Sequence, residues 1–196
     1  MKYNIILASQ SPRRKELLKR IIDKFEIIPS MADESVDTKN PEEAVRQLAL
    51  KKGEEVFERI DKDKNILVIG ADTIVVNNAI LGKPKDREDA IEMIKNLSGK
   101  SHYVYTAVSF YIYNNETKEK LVDSLVEKTE VKVSDIDIEE IEKYVDTKDC
   151  FDKAGGYGIQ GEFGKYISGI VGDYYNVVGF PLNKVYEKIK KIGVDF

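Results

Sequence analysis

Three cations stand in a row at Arg13-Arg14-Lys15, directly behind Ser9-Gln10-Ser11-Pro12. Serine is a good N-cap and proline is tolerated in a first helical turn, so these cations belong to the opening turn of a helix. The backbone dipole is already positive there, and each cation is locally unfavourable by up to about 1 kcal/mol. A bound anion reverses that sign, because free backbone N–H groups and guanidinium forks both suit phosphate. An ordinary solvated basic turn presents the same residue types.

A second candidate is Asp72, in Gly70-Ala71-Asp72-Thr73, behind the apolar run Ile66–Ile69. The run reads as a buried strand ending at Gly70, with the carboxylate delivered at its C-terminal end, where open α/β sheets place their ligands. An acid there can hold a divalent metal or take a proton from water, although turn aspartates also commonly cap local backbone. Asp33 and Glu34 sit on a loop and could supply further metal ligands. Lys52 lies on the same helical stripe as Val45, Leu48, Ala49 and Val56. Such a lysine either snorkels out or points into a polar cleft, and snorkelling is the expectation without other evidence.

Gly156, Gly158 and Gly161 spell G-x-G-x-x-G within Asp152–Gly161. The dinucleotide fingerprint needs a strand before it and a helix after it, and neither is expected here. The glycines instead allow tight turns and close approach to a ligand, and Gln160 has the donor and acceptor needed to read a base edge. Lys83, before Pro84, is a further cation for phosphate. No phosphate-binding P-loop is present. His102 is the single histidine, which excludes a histidine-rich zinc site, and no local signature supports a Cys150–His102 nucleophile pair.

The elements that must carry these residues alternate. Strands are expected at Asn4–Ala8, Phe25–Ile28, Ile66–Ile69, Tyr103–Tyr113, Leu121–Val133 and Tyr174–Val178. Helices are expected from Ser11-Pro12 to about Ile22 and from Asn40-Pro41 to about Ile60, the latter with Glu43 at capping-box spacing. Others run from about Arg87 to Leu97, stopped by Gly99, from Asp137 through Val145, and from Pro181 onward. That order implies an α/β protein with a mixed sheet.

Composition agrees with one domain over residues 1–196: 42% of residues are apolar and 34% charged. The net charge of −4 gives no sign of a nucleic-acid polymer or an acidic membrane as partner, so any anion site is a local basic cluster on an acidic protein. One cysteine, no run of membrane-spanning length and no signal-peptide pattern lead to the expectation of a cytoplasmic protein.

The stretch Ile6–Leu18, Ile-Leu-Ala-Ser-Gln-Ser-Pro-Arg-Arg-Lys-Glu-Leu-Leu, closely resembles the opening motif of the Maf family of nucleoside triphosphate pyrophosphatases. The resemblance continues through Ala71–Val75, Gly82-Lys83-Pro84, Leu97-Ser98-Gly99 with His102, Asp152–Gly161 and Asn176–Pro181. It implies an α/β fold of the Maf/ITPase-like kind, a mixed twisted sheet flanked by helices with two lobes around a deep cleft. By position, it implies that Asp72 is the proton acceptor that activates water. Arg13, Thr73 and Gln160 match positions linked to substrate choice, and Ser9, Arg14, Lys52 and Lys83 match residues lining the triphosphate site. Glu34 matches a carboxylate near the metal, so Glu34 and Asp72 are the expected ligands of Mg²⁺ or Mn²⁺.

Asp-Thr followed by Gly-Ile-Gln-Gly resembles the branch acting on dTTP and UTP, whose relatives also accept some modified pyrimidine nucleotides. A homodimer is one assembly the family pattern implies. The expected reaction is in-line attack of water on the α-phosphorus, releasing the monophosphate and pyrophosphate. A non-catalytic nucleotide-binding regulator of cell division and a purine, ITP-type house-cleaning pyrophosphatase stay open as alternatives. Gly53 and Phe180 depart from the usual alanine and leucine. Gly53 is expected to loosen its helix by about 1 kcal/mol.

Overall fold

In the computed structural model, residues 2–194 are described. In chain order the elements are β1 (Asn4–Ala8), α1 (Pro12–Lys19), β2 (Glu26–Ile27), α2 (Pro41–Arg59), β3 (Ile66–Asn77), β4 (Ala79–Leu81) and α3 (Arg87–Leu97). They continue with β5 (Ser101–Asn114), β6 (Glu119–Val133), α4 (Ile138–Asp146), β7 (Ile167–Val171), α5 (Tyr174–Val178) and α6 (Leu182–Ile192). The fold is mixed α/β, with a seven-stranded sheet flanked by helices and ordered β2-β1-β3-β5-β6-β7, β4 pairing with β3. β1 runs parallel to both β2 and β3, whereas β3–β4 and β6–β7 are antiparallel.

The chain forms two compact units. One comprises the chain up to Asp72, Thr106–Glu127 and the chain from Gly179; the other comprises Thr73–Tyr105 and Lys128–Val178. β3, β5 and β6 each contribute residues to both. In the first unit Ile6, Val56, Phe57, Ile66, Val68 and Tyr111 close a core between sheet and helix. In the second, Phe163 packs its ring against Tyr144, Tyr157 and Tyr166, among buried Ile94 and Leu97.

Helix starts follow their caps. Ser11 accepts from the Arg14 N–H, and Asn40 accepts from the N–H groups of Glu42 and Glu43. The expected capping box at Glu43 is replaced by a relay: the Thr38 hydroxyl accepts from the Asn40 N–H and donates to the Glu43 carboxylate. Asp137 holds the N-cap position of α4 without a side-chain capping bond.

Two expectations are corrected. The strand expected to end at Gly70 runs on to Asn77, because Thr73-Ile74-Val75-Val76 suits extended chain and Gly70 serves close packing rather than strand termination. Tyr174–Val178, expected as a strand, is the short helix α5. The Asp173 carboxylate accepts from the Tyr175 N–H, and the buried Asn176 amide donates to Val104 O and Thr129 Oγ1. Those bonds override the β-propensity of the aromatic and β-branched residues.

Candidate active site

β1 ends at Ala8, in register with Gly70 of β3, so Asp72 lies two residues beyond the end of that parallel pairing. Asp72 is therefore inside a long strand rather than at its end, yet it occupies the carboxyl edge of the parallel pair. Gly70 faces α2: a Cβ there would stand 2.5 Å from Ala49 O and 2.6 Å from Gly53 N. Residues two apart in a strand share a face, so Asp72 also faces α2 and Thr73 faces away from it.

Glycine is needed on the helix side as well. A Cβ on Gly53 would stand 2.6 Å from Ser109 Oγ and 2.8 Å from the Tyr111 ring. The Ser109 hydroxyl donates to Ala49 O at 2.7 Å, and the Tyr111 hydroxyl to Leu50 O at 3.1 Å. The expectation that Gly53 merely loosens α2 is thus corrected: it lets the helix backbone settle directly on β3 and β5. That seating carries Lys52 to Asp72.

Lys52 does not snorkel. Its Nζ donates to Asp72 Oδ1 at 2.5 Å and lies 2.6 Å from Glu34 Oε1. Lys52 and Asp72 are 15% and 13% exposed and Glu34 61%, so one ammonium links a sheltered carboxylate to an exposed one. Among the described residues, Asp72 Oδ2 accepts no hydrogen bond, which leaves a lone-pair face for a proton. Asp33 turns to Ser35 instead; that hydrogen bond draws its carboxyl below the usual range.

Arg14 is folded inward. Its Nε donates to Gly179 O at 2.9 Å, and its Nη1 to Ala71 O at 2.9 Å and Ser9 Oγ at 3.3 Å. Burial lowers its affinity for the proton, partly offset by Asp72. The guanidinium stays charged and ties the start of α1 to the residue before Asp72. Arg13, half-buried, adds positive potential beside it. Ser9, buried, accepts the Ser11 N–H. The first unit thus gathers Ser9, Arg13, Arg14, Glu34, Lys52 and Asp72 into one polar centre.

The second unit holds the other expected residues. Lys83 and Gln160 are exposed and Thr73 is half-buried. The loops of Lys83 and Gln160 are joined through the Gly155 N–H, which donates to Gly82 O at 3.0 Å. The G-x-G-x-x-G stretch has 3-10 turns on either side of Tyr157–Gly161, so it is no dinucleotide fingerprint. His102 Nε2 bonds the Tyr157 hydroxyl at 2.6 Å, and the Cys150 thiol is buried with its proton affinity raised, so the two form no nucleophile pair. Sequence reasoning passed over Gly70, Ser109 and Tyr111 as site-building residues. Only the glycine gave a signal, as a break in an apolar run.

A sequence model of the Maf-like protein family matches residues 4–192. This chain belongs to the Maf family. It is similar to the dTTP/UTP pyrophosphatase of Agathobacter rectalis, with 45% identity over 97% of this chain and 98% of that protein. It also resembles the dTTP/UTP pyrophosphatase of Clostridium novyi, 48% identical over 97% of this chain and 98% of that one. A solved structure of a HAM1 protein from Coxiella burnetii aligns with TM-score 0.47 and 12% identity, covering 97% of this chain and 98% of that one.

Proposed function

We propose that this Maf-family chain hydrolyses nucleoside triphosphates, dTTP and UTP foremost, to the monophosphate and pyrophosphate. The observation that carries the reading is the Lys52 bridge: an ammonium within 2.6 Å of both Asp72 and Glu34, beside the inward Arg14. Near-full-length identity to dTTP/UTP pyrophosphatases supports the substrate class.

Asp72 orients a water and takes its proton on Oδ2 as the water oxygen bonds the α-phosphorus. The bridging P–O bond to the β-phosphate then breaks, and its electron pair leaves with pyrophosphate. Arg13 and Lys52 neutralise the growing phosphate charge, Arg14 holds the backbone at Ala71, and Ser9 orients that guanidinium. On the family pattern, Lys83 is assigned to phosphate and Thr73 and Gln160 to substrate choice.

A divalent ion fits the donor set. Asp72 and Glu34 converge on one cation position, and Mg²⁺ or Mn²⁺ arriving with a triphosphate needs only one or two protein carboxylates. When bound, it supplies charge neutralisation at the phosphates. No helix among the described residues is long and apolar enough to cross a membrane, and a cytoplasmic enzyme suits an acidic chain with one buried thiol.

The test is turnover of dTTP, UTP, CTP, GTP, ITP and 7-methyl-GTP with Mg²⁺ or Mn²⁺, resolving pyrophosphate from single phosphate. Pyrophosphate from dTTP and UTP is expected, with a loss of at least about 100-fold in folded Asp72→Asn. Nucleotide binding without turnover would instead identify a regulatory module, and preference for ITP a purine house-cleaning enzyme.

A further inference from the structure

The turn that presents Gln160 rests on a partly buried ion pair whose lysine is the sheltered partner. Lys153 is 9% exposed, and its Nζ donates to Asp149 O at 2.5 Å, Asp149 Oδ1 at 2.9 Å and Asp152 Oδ1 at 2.6 Å. An ammonium has three donors, so Lys153 has none left for a phosphate. The following loop lies flush on this pair. A Cβ on Gly158 would stand 2.8 Å from Lys153 Cε, and one on Gly161 would collide with Asp149 Oδ2.

Those two glycines are the ends of one turn: the Gly161 N–H donates to Gly158 O at 3.1 Å, and Ile159 and Gln160 form its tip. Gln160 is exposed and its amide makes no hydrogen bond among the described residues. Among the described residues Asp149 Oδ2 is buried and makes no hydrogen bond, and the Gly161 backbone lies directly over it. Two of the three glycines of the motif are thus explained by packing on the pair, not by approach to a ligand.

We propose that Lys153 and Asp149 are positioning residues for Gln160 and thereby set base selectivity. The inference rests on the reading of Gln160 as a base contact. Lys153 touches no substrate: it fixes where the amide of the turn stands, and Asp149 fixes Lys153.

The experiment compares wild type, Lys153→Met, Gln160→Ala and the double variant in the full chain. It reads kcat and KM for dTTP and GTP together with hydrogen exchange over residues 157–164. Lys153→Met is expected to speed exchange of the Gly161 amide and to raise KM for dTTP about tenfold. Its kcat should stay within about threefold of wild type, while the preference for dTTP over GTP narrows. Because the action passes through Gln160, the double variant should lose no more preference than Gln160→Ala alone.

Unchanged exchange and preference in folded Lys153→Met would overturn the proposal, as would a further loss in the double variant. Should Lys153→Met fail to fold, Asp149→Asn, which keeps the shape and removes the charge, is judged by the same criteria. If Gln160→Ala leaves the preference unchanged, the base-contact reading of Gln160 falls with its consequence for selectivity. The exchange comparison then still decides whether the pair holds the turn.

Discussion

At the scale of single residues, one ammonium against two carboxylates sets the character of the site. Lys52 offsets the repulsion between Asp72 and Glu34, whose oxygens it holds within 2.6 Å of the same nitrogen. His102 offers an independent check on burial. It is the chain's single histidine, 1% exposed, and desolvation draws it down to about 4 from the ordinary 6.5. The folded protein therefore binds fewer protons than the unfolded chain between those values, and stability falls as pH drops through the window. The expected contribution of His102 is a loss of about 2 kcal/mol between pH 7 and pH 5. Urea unfolding at both pH values should show that difference in wild type and lack it in His102→Gln; equal pH dependence in both would contradict a buried neutral imidazole.

Residue types were the most legible part of the site. Asp72, Arg13 and Arg14 stand out as ionisable groups where local rules disfavour them or where a strand presents them. The fate of Lys52 was not legible, because its stripe position fits snorkelling as well as a carboxylate partner, and only the seating of α2 decides between them. Lys153 was equally opaque: its three acceptors depend on how residues 149–153 coil.

At the scale of elements, the site depends on how closely α2 approaches the sheet. Gly53 and Gly70 meet backbone to backbone, and the hydroxyls of Ser109 and Tyr111 hold the helix carbonyls. Gly53→Ala should gain about 1 kcal/mol in helix propensity and lose about 1–3 kcal/mol through the collision with Ser109 and Tyr111. A net fall in urea stability is expected, with a larger fall in turnover as Lys52 is lifted from Asp72. A stabilised, fully active Gly53→Ala would mean that the helix has room to spare. The helices of the fold were largely legible because caps and periodicity are local signals. The extension of β3 beyond Gly70 and the helical state of Tyr174–Val178 were not, since a close-approach glycine looks like a breaker and buried Asn176 takes its bonds from distant strands.

At the scale of the whole molecule, membership of the Maf family and the polar centre around Asp72 both support the proposed chemistry, water at the α-phosphorus with pyrophosphate leaving. That claim is tested most directly by hydrolysing dTTP in ¹⁸O-labelled water and locating the label by mass spectrometry. Label in the monophosphate, with none in pyrophosphate, is the predicted result, and Asp72→Asn should abolish it. Label in pyrophosphate would place the attack on the β-phosphorus and contradict the account.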